Sequence, residues 1–129
     1  MKKKLISMET FVGAGGSYLG LKKAGFKSIY VNEIDKDFAK TLIYNNKSDL
    51  QNCVVDVRAI EEVDFKKIRK KIKIKKKKLD LIFGGPVCKG YSLAGVRDPS
   101  DIRNTLYRHQ IRMVKEFLPK ISIIENVPP

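Results

Sequence analysis

Residues 11–20 read FVGAGGSYLG, a cluster of glycines that follows an apolar run and precedes a segment with helical spacing. Glycines at positions 13, 15 and 16 let the backbone turn sharply and come close to a ligand. A helix that begins after such a turn directs its N-terminus at the ligand, where a negative group is favoured. The stretch therefore predicts a strand, a glycine turn and a helix beside a small-molecule site, although such turns also occur for structural reasons alone.

The rest of the chain repeats this order of strand and helix, because apolar runs alternate with segments of helical spacing. The pattern is typical of an α/β fold, here a Rossmann-like, mostly parallel sheet of about five strands with helices on both faces. Ligands of such folds bind beyond the carboxyl ends of the strands, so functional residues are expected there. The predicted strands are 5–11, 28–33, 53–56, 79–85 and 121–127, and the predicted helices are roughly 15–25, 35–46, 64–73 and 102–118.

The chain is strongly basic. Its 129 residues include 27 Lys and Arg against 14 Asp and Glu, which gives a formal net charge of +13. This charge favours a polyanion such as nucleic acid, because binding releases condensed counterions. Most of the excess is lysine, which codon bias in an A/T-rich genome would also produce. The densest run, KKIRKKIKIKKKK at 66–78, is interpreted as a solvated peripheral connector.

Cysteine content and hydropathy restrict the cellular setting. Cys53 and Cys88 lack the spacing of a zinc site or of a secreted disulfide scaffold. No apolar stretch approaches the roughly 20 residues of a membrane helix, and the basic start MKKK leads into no signal-type segment. We expect a cytoplasmic protein with no metal and no membrane partner. Cys53 is expected to pack as a small apolar side chain.

Acidic residues end the second and third predicted strands. Glu33, in VNEID, lies about 20 residues after the first glycine, the spacing at which a carboxylate reaches ribose hydroxyls. Asp56, in VVDVR, falls within range of an adenine amine. The GxGG pattern suits an adenosine joined to an amino acid better than a dinucleotide. Together these features predict S-adenosylmethionine, while helix capping and surface charge are the alternative roles of the two acids.

The loop GGPVCKGYS at 84–92 follows the fourth predicted strand and carries Cys88 on the same edge of the sheet. Lys89 beside it would lower the pKa of the thiol. Glu125, in ENV at 125–127, lies at the end of the fifth predicted strand, on the same edge. A thiolate, a carboxyl group and a methyl donor together suit cytosine methylation, in which the thiolate adds to C6 and the carboxyl group stabilises charge at N3. The target base must leave its stack for this reaction.

Six motifs, taken in order, resemble the N-terminal half of the cytosine C5 DNA methyltransferase family: FVGAGGSYLGLKKAGF, VNEID, VVDV, GGPVCKGYS, DIRNTLYRHQIRMV and ENV. The resemblance implies that residues 1–129 are the N-terminal part of a catalytic domain that methylates DNA in a restriction-modification system, with S-adenosyl-L-methionine as cofactor. It implies Cys88 as nucleophile, Glu125 on the cytosine edge, and Lys89 and Ser92 in a loop that closes on DNA. The residues implied to line the cofactor pocket are Phe11, Gly13, Gly15, Glu33, Ile34, Asp56 and Leu106.

Two features depart from the family. Val87 and Lys89 stand where the family has proline and glutamine around the nucleophile, which changes a fixed φ and a donor-acceptor amide. The family also continues beyond ENV, with an arginine-bearing strand, a target-recognition region and a final helix. We therefore expect a fragment with an unpaired strand edge. It is a truncated reading frame, a partial sequence or one subunit of a split enzyme; truncation of the frame is favoured, and in the last case a complementing C-terminal polypeptide would complete it.

Other functions remain open at this point. An RNA cytosine C5 methyltransferase would use the same thiol chemistry. A non-catalytic module could bind S-adenosylmethionine or a partner chain without turnover, and a dinucleotide-dependent oxidoreductase is a more remote alternative. His109 is expected to be a packing or surface residue. The candidates for phosphate contacts are Arg97, Arg103, Arg108 and Arg112.

Overall fold

A computed structural model of the chain describes residues 3–87 and 98–127. In this part of the chain, strands and helices alternate as the sequence predicts. The strands are β1 (Leu5–Thr10), β2 (Phe26–Asn32), β3 (Val54–Asp56), β4 (Leu81–Gly84) and β5 (Ile121–Ile124). The α-helices are α1 (Gly16–Lys23), α2 (Lys36–Asn45), α3 (Phe65–Lys71) and α4 (Tyr107–Phe117), and short 3-10 helices span Asp49–Asn52, Ile60–Glu62 and Ile102–Thr105.

The five strands form one parallel sheet in the order β3-β2-β1-β4-β5. Met8, in the central strand, pairs with Tyr30 of β2 on one side and with Ile82 of β4 on the other. The strand order therefore reverses between β1 and β4, and the loops that follow these strands diverge. In open α/β sheets this divergence leaves a crevice in which ligands bind. The predicted parallel α/β architecture is confirmed.

Helices cover both faces of the sheet. On one face, Met8 and Tyr30 pack in a core that includes Phe117 of α4 and residues of α3. On the other face, Val31 packs with Leu42 of α2 and with α1. Because side chains alternate along a strand, strands covered on both faces need apolar residues at successive positions. This explains why β4 (LIFG) reads as a continuous apolar run, whereas the buried polar side chains Ser7 and Glu9 of β1 are hydrogen-bonded.

The lysine-rich run at 66–78 forms α3 and the turn that leads into β4. Phe65 and Ile68 bury their side chains in the core, while every lysine of the run is exposed. The backbone N–H of Lys77 donates to the carbonyl of Phe117 at 3.0 Å, which ties the turn to the end of α4. The run is thus a connector with one apolar face, in agreement with its interpretation from the sequence.

β5 is the most exposed strand of the sheet. All four of its residues are exposed, and among the described residues β5 pairs only with β4. Ile121, Ile123 and Ile124 therefore present apolar side chains to water. The opposite edge, β3, has only three residues and one of them, Asp56, is buried. Within residues 3–87 and 98–127, no helix is both long and apolar enough to cross a bilayer.

Candidate functional site

A cavity of about 450 Å³ opens at the carboxyl ends of the strands. Its wall combines the loop after β1, the start of α2, the loops after β3 and β4, and the segment that leads into α4. Most of the wall is apolar, with one carboxylate from β2 and another from the Ile60–Glu62 helix. The described residues that line it are Phe11, Gly13, Asn32, Glu33, Ile34, Phe38, Ile60, Glu61, Gly85, Val87, Ile102, Arg103 and Leu106.

The glycine turn shapes the part of the cavity nearest β1. Gly13 and Gly15 have φ values of 60° and 109°, in the left-handed region that favours glycine. A Cβ atom on Gly15 would also lie 2.6 Å from Leu42 Cδ1, so the turn needs glycine there for space as well as conformation. Phe11, at φ 55°, begins the turn and lines the cavity. These constraints explain why glycine occupies positions 13 and 15 of the turn.

Glu33 joins the end of β2 to the glycine turn. Its carboxylate accepts a hydrogen bond from the Gly13 N–H at 2.8 Å and another from the Asp35 N–H at 2.9 Å. Its backbone N–H in turn donates to the carbonyl of Asp56 at 3.1 Å. Each carboxylate oxygen has two lone pairs, so both can still accept from a ligand. Glu33 is thus a buried, fixed acceptor in the cavity wall.

Asp56 has a different environment. Its carboxylate accepts from the guanidinium of Arg58, at 2.8 Å from Nε and 2.6 Å from Nη2, and from the hydroxyl of Tyr30 at 3.1 Å. Burial acts to raise the pKa of Asp56, but the hydrogen bonds from Arg58 and Tyr30 outweigh it and hold the pKa below its ordinary value. Asp56 is not among the described residues that line the cavity.

Glu125 lies beside Gly85, a residue of the cavity wall, but is not itself among the described residues that line the cavity. Its backbone N–H donates to the carbonyl of Gly84 at 2.9 Å, which continues the pairing of β5 with β4. A Cβ atom on Gly85 would lie 2.9 Å from Glu125 Oε2, so the absence of a side chain at Gly85 makes room for the carboxylate. Val87, two residues further on, lines the cavity. Cys88, Lys89 and Ser92, the predicted nucleophile and DNA-loop residues, lie outside the described residues.

The cavity brings together five of the seven residues predicted to hold the cofactor: Phe11, Gly13, Glu33, Ile34 and Leu106. Gly15 and Asp56 are not part of its lining. That any of these seven binds the cofactor stays a prediction. Phe38, Ile60, Glu61 and Ile102 also line the cavity, and the sequence motifs did not indicate them. Phe38 and Ile102 are 51% and 80% exposed. Both are large apolar residues near the start of a helix, and that position was the feature of the sequence that could have indicated a cavity wall.

Glu9 of β1 is another buried carboxylate, and it lies beneath the glycine turn at the start of α1. It is fully buried and accepts hydrogen bonds from the hydroxyls of Ser17, at 2.7 Å, and Ser28, at 2.8 Å. Burial raises the pKa of Glu9, and the two hydrogen bonds only partly offset this. Since Ser17 lies in the first turn of α1, Glu9 fixes the start of that helix against the sheet. Its position in an apolar run gave no sign of this role.

Two of the candidate phosphate contacts are already engaged within the chain. Arg112 donates to the carbonyls of Val63 and Ile60 at 2.6 Å and 2.8 Å. Arg103 forms an ion pair with Asp101. Arg108 is exposed, and Arg97 lies outside the described residues. The pKa of half-buried His109 is lowered by burial and by the charge of Arg112, and its Nδ1 lies 3.3 Å from Arg112 Nη2.

No cluster of three or more His, Cys, Asp or Glu side chains suited to a metal ion occurs in the described part of the chain. Cys53 is mostly buried against the α1–α2 core, and burial raises the pKa of its thiol to about 12. A thiol with that pKa is protonated at neutral pH and is a poor nucleophile or ligand. Cys53 therefore has a packing role.

The parallel α/β fold and its cavity agree with the proteins to which the chain is similar. A family model described as C-5 cytosine-specific DNA methylase matches residues 5–129. The chain belongs to this family. The chain is 37% identical over 121 residues to the Type II methyltransferase M.AgeI of Thalassovita gelatinovora. That alignment covers 94% of this chain and 27% of the relative. The chain is also 37% identical over 128 residues to M.AquIA of a Picosynechococcus species, covering 98% of this chain and 49% of the relative.

A solved structure from E. coli, described as a DNA modification methyltransferase encoded within a prophage, superposes with a TM-score of 0.77 at 31% identity. The alignment covers 96% of this methylase-family chain and 32% of that one. The chain thus spans about a quarter of the length of M.AgeI and about half of the length of M.AquIA. The recognition of the family from its sequence motifs is confirmed.

Proposed function

We propose that this chain binds S-adenosyl-L-methionine in the cavity at the ends of β1, β2 and β4. The main support is the Glu33 carboxylate, which the backbone N–H groups of Gly13 and Asp35 hold in the cavity wall. Its oxygens can still accept hydrogen bonds from two ribose hydroxyls. The apolar walls supplied by Ile34, Phe38 and Leu106 suit a flat purine. The residues present therefore fit the cofactor, which supplies an electrophilic methyl group when bound.

We further propose that residues 1–129 are the N-terminal part of the catalytic domain of a cytosine C5 methyltransferase. Cys88 would add its thiolate to C6 of the cytosine, which makes C5 nucleophilic. Glu125 would hold a proton at N3 and so relieve the negative charge that develops on the ring. Support comes from the position of Glu125 against Gly85, and from Val87, which lines the cavity one residue before the thiol. C5 would take a methyl group from the cofactor, and loss of the C5 proton to a base with elimination of the thiolate from C6 would then end the cycle.

We propose DNA as the substrate, in the cytoplasm and within a restriction-modification system. The family is one of DNA methylases and the relatives are Type II methyltransferases, which favours DNA over RNA. The net charge of +13 supports a polyanionic partner. Because Arg103 and Arg112 bind groups of this chain, Lys89, Ser92 and Arg108 are the better candidates for DNA contacts.

We propose in addition that a complementing polypeptide completes the enzyme. The chain covers 27% of M.AgeI, and the whole activity of such relatives belongs to a much longer protein. The exposed edge of β5 can pair with a further strand, and Ile121, Ile123 and Ile124 can be buried beneath it. The polypeptide is expected to supply the target-recognition region.

Covalent trapping tests the function. The chain is mixed with the part of M.AgeI that it does not cover, with S-adenosylmethionine and with duplex DNA that contains 5-fluorocytosine. We expect a protein–DNA adduct that survives a denaturing gel, because fluorine at C5 blocks loss of the proton and keeps the thiol on C6.

Two serine variants test which cysteine is the nucleophile. Cys88→Ser should abolish the adduct, whereas Cys53→Ser, at the packing cysteine, should leave it intact. An adduct that persists in Cys88→Ser contradicts the assignment of the nucleophile. If no adduct forms with any variant while S-adenosylmethionine still binds, the chain is a non-catalytic binding module and the proposed reaction is wrong.

A further inference from the structure

The lysines of this chain gather at one edge of the sheet. All five strands are parallel, so they begin together at one edge, which we call the amino edge, and end together at the carboxyl edge, where the cavity opens. Segment 3–4 precedes β1, segment 22–27 connects the end of α1 with the start of β2, and segment 70–78 connects α3 with β4. These segments of the amino edge contain two, three and seven lysines, respectively, and no Asp or Glu.

The carboxyl edge has the opposite charge. Segments 33–37 and 56–64 follow β2 and β3, segment 98–103 leads toward α4, and all three contribute residues to the cavity wall. They contain three, four and two acidic residues, respectively, and one Lys or Arg each. The positive charge of the described residues is therefore concentrated away from the proposed site of methyl transfer.

Few lysines of the amino edge are neutralised within the chain. Lys22 pairs with Asp49, and no other lysine of the three segments forms a salt bridge in the part of the chain that the structure describes. All of them except Lys27 are exposed, whereas Ile72 and Ile74 between them pack against the core. This surface suits a polyanion rather than a bilayer, because a bilayer is bound through apolar side chains that enter it.

A second cavity, of about 400 Å³, opens at the amino edge beside the end of α1 and the start of β2. Lys4, Lys22 and Lys27 line it, together with Asp49, the partner of Lys22. Tyr18 also lines it and is 4% exposed, yet its hydroxyl makes no hydrogen bond to the other described residues. Burial raises the pKa of Tyr18 to about 12, so this hydroxyl remains a donor at neutral pH. The cavity thus offers ammonium groups and a further donor to one phosphate group.

We propose that the amino edge binds the phosphate backbone of a DNA duplex, independently of base sequence and apart from the segment that carries the target cytosine. This goes beyond the proposed function, since it requires neither the cofactor nor a flipped base. The five strands, about 4.8 Å apart, make an edge roughly 20 Å wide, the length of about six base pairs. Several phosphates can therefore be contacted at once, and each contact releases condensed counterions.

Fluorescence anisotropy of the full chain with a labelled duplex of A·T pairs tests this, because that duplex contains no cytosine. We expect binding without cofactor, with an affinity that falls steeply as the salt concentration rises. The triple variant Lys4→Gln, Lys75→Gln, Lys78→Gln removes three exposed lysines from the amino edge. It should weaken binding at least about tenfold and lower the slope of log Kd against log salt by about 2 to 3.

A triple variant at the carboxyl edge is the matched control. Lys36→Gln, Lys40→Gln, Lys66→Gln removes the same charge from exposed lysines near the starts of α2 and α3. It should change the affinity by less than about threefold, because these lysines lie far from the proposed duplex and their charge is screened. Far-UV circular dichroism should show both variants folded like the unmodified chain.

A loss of affinity confined to the amino-edge variant supports the proposal. Equal losses in the two variants would mean that net charge alone acts, and a larger loss in the control would place the duplex at the carboxyl edge, so either result overturns it. An unmodified chain that does not bind the duplex, or from which phosphatidylserine vesicles displace it, also overturns the proposal. Each of these results leaves the cofactor proposal in place, because neither cofactor nor cytosine takes part in the experiment.

Discussion

At the scale of single residues, Glu33 combines a structural and a proposed functional role in one carboxylate. It accepts from Gly13 and Asp35, which fixes the glycine turn and the start of α2 relative to β2. The same residue lines the cavity. A ligand that donates to its oxygens therefore meets acceptors that are already oriented, so little conformational entropy is lost on binding.

This arrangement predicts a specific defect in Glu33→Gln. The amide NH₂ of glutamine must face either Gly13 N–H or Asp35 N–H, donor against donor, and the remaining oxygen carries no full charge. Binding of S-adenosylmethionine should weaken by at least about tenfold, the scale of one lost charge-assisted hydrogen bond. Titration calorimetry measures the affinity, and Asp37→Asn, an exposed neutralisation in α2, is the control. Equal affinities in the two variants would contradict the role of Glu33.

The position of Glu33 could be predicted from the sequence, but the hydrogen-bond partners of Asp56 could not. Spacing from the glycine turn is a property of the βαβ unit, so the position of an acid at the end of β2 follows from counting residues. The bond between Asp56 and Arg58 depends on how the chain folds back after β3, which no spacing rule describes. For the same reason, Glu61 and Phe38 could not be predicted as cavity residues.

At the scale of elements, α4 holds the far wall of the cavity in place through Arg112. The guanidinium donates to the carbonyls of Ile60 and Val63, and it stacks over the ring of Phe65 at 4.6 Å. Ile60 belongs to the 3-10 helix that also carries Glu61. Arg112 therefore links α4 to a segment of the cavity wall.

We predict that Arg112→Ala destabilises the protein by about 2 kcal/mol, because two carbonyls lose a charged donor. Arg108→Ala, one turn earlier on the exposed side of the same helix, should change stability by no more than about 0.5 kcal/mol. Urea unfolding followed by circular dichroism measures both values. Similar stabilities for the two variants would mean that the Arg112 hydrogen bonds contribute nothing net.

Element type was predicted more accurately than element ends. The helix predicted at 102–118 divides into a 3-10 helix, Ile102–Thr105, and α4, and the Asp101 side chain caps the 3-10 helix by accepting from the Arg103 N–H. The strand predicted at 121–127 ends at Ile124, although Glu125 still donates to Gly84. Apolar periodicity continues through both boundaries, so it does not mark where the hydrogen-bond pattern changes.

At the scale of the whole molecule, the two edges of the sheet are unequal. The edge at β3 is short and ends in a buried aspartate, whereas the edge at β5 exposes four residues. An exposed apolar edge strand is a template for pairing with other chains. The exposed edge was expected from the sequence, because the family that the motifs resemble continues beyond ENV.

The isolated chain should accordingly associate and bind a hydrophobic dye. Placing lysines at Ile121 and Ile123 should lower dye fluorescence at least about twofold and shift the chain toward monomer in light scattering, because charge on an edge strand opposes pairing. Tyr44→Lys, at a 73% exposed aromatic on α2, is the control and should change neither signal. If the unmodified chain is monomeric and binds no dye, the β5 edge does not promote association.

The central position of β1 has a consequence for the time course of folding. β1 is made early, yet one of its two neighbours is β4, and the Ile6 N–H donates to Asp80, 74 positions later. Closing so large a loop is slow, and sheets rich in distant contacts acquire native structure late. In a nascent chain, β1 therefore has only β2 as a neighbour until β4 has been synthesised. During this interval, binding by a chaperone would protect β1 from misassembly.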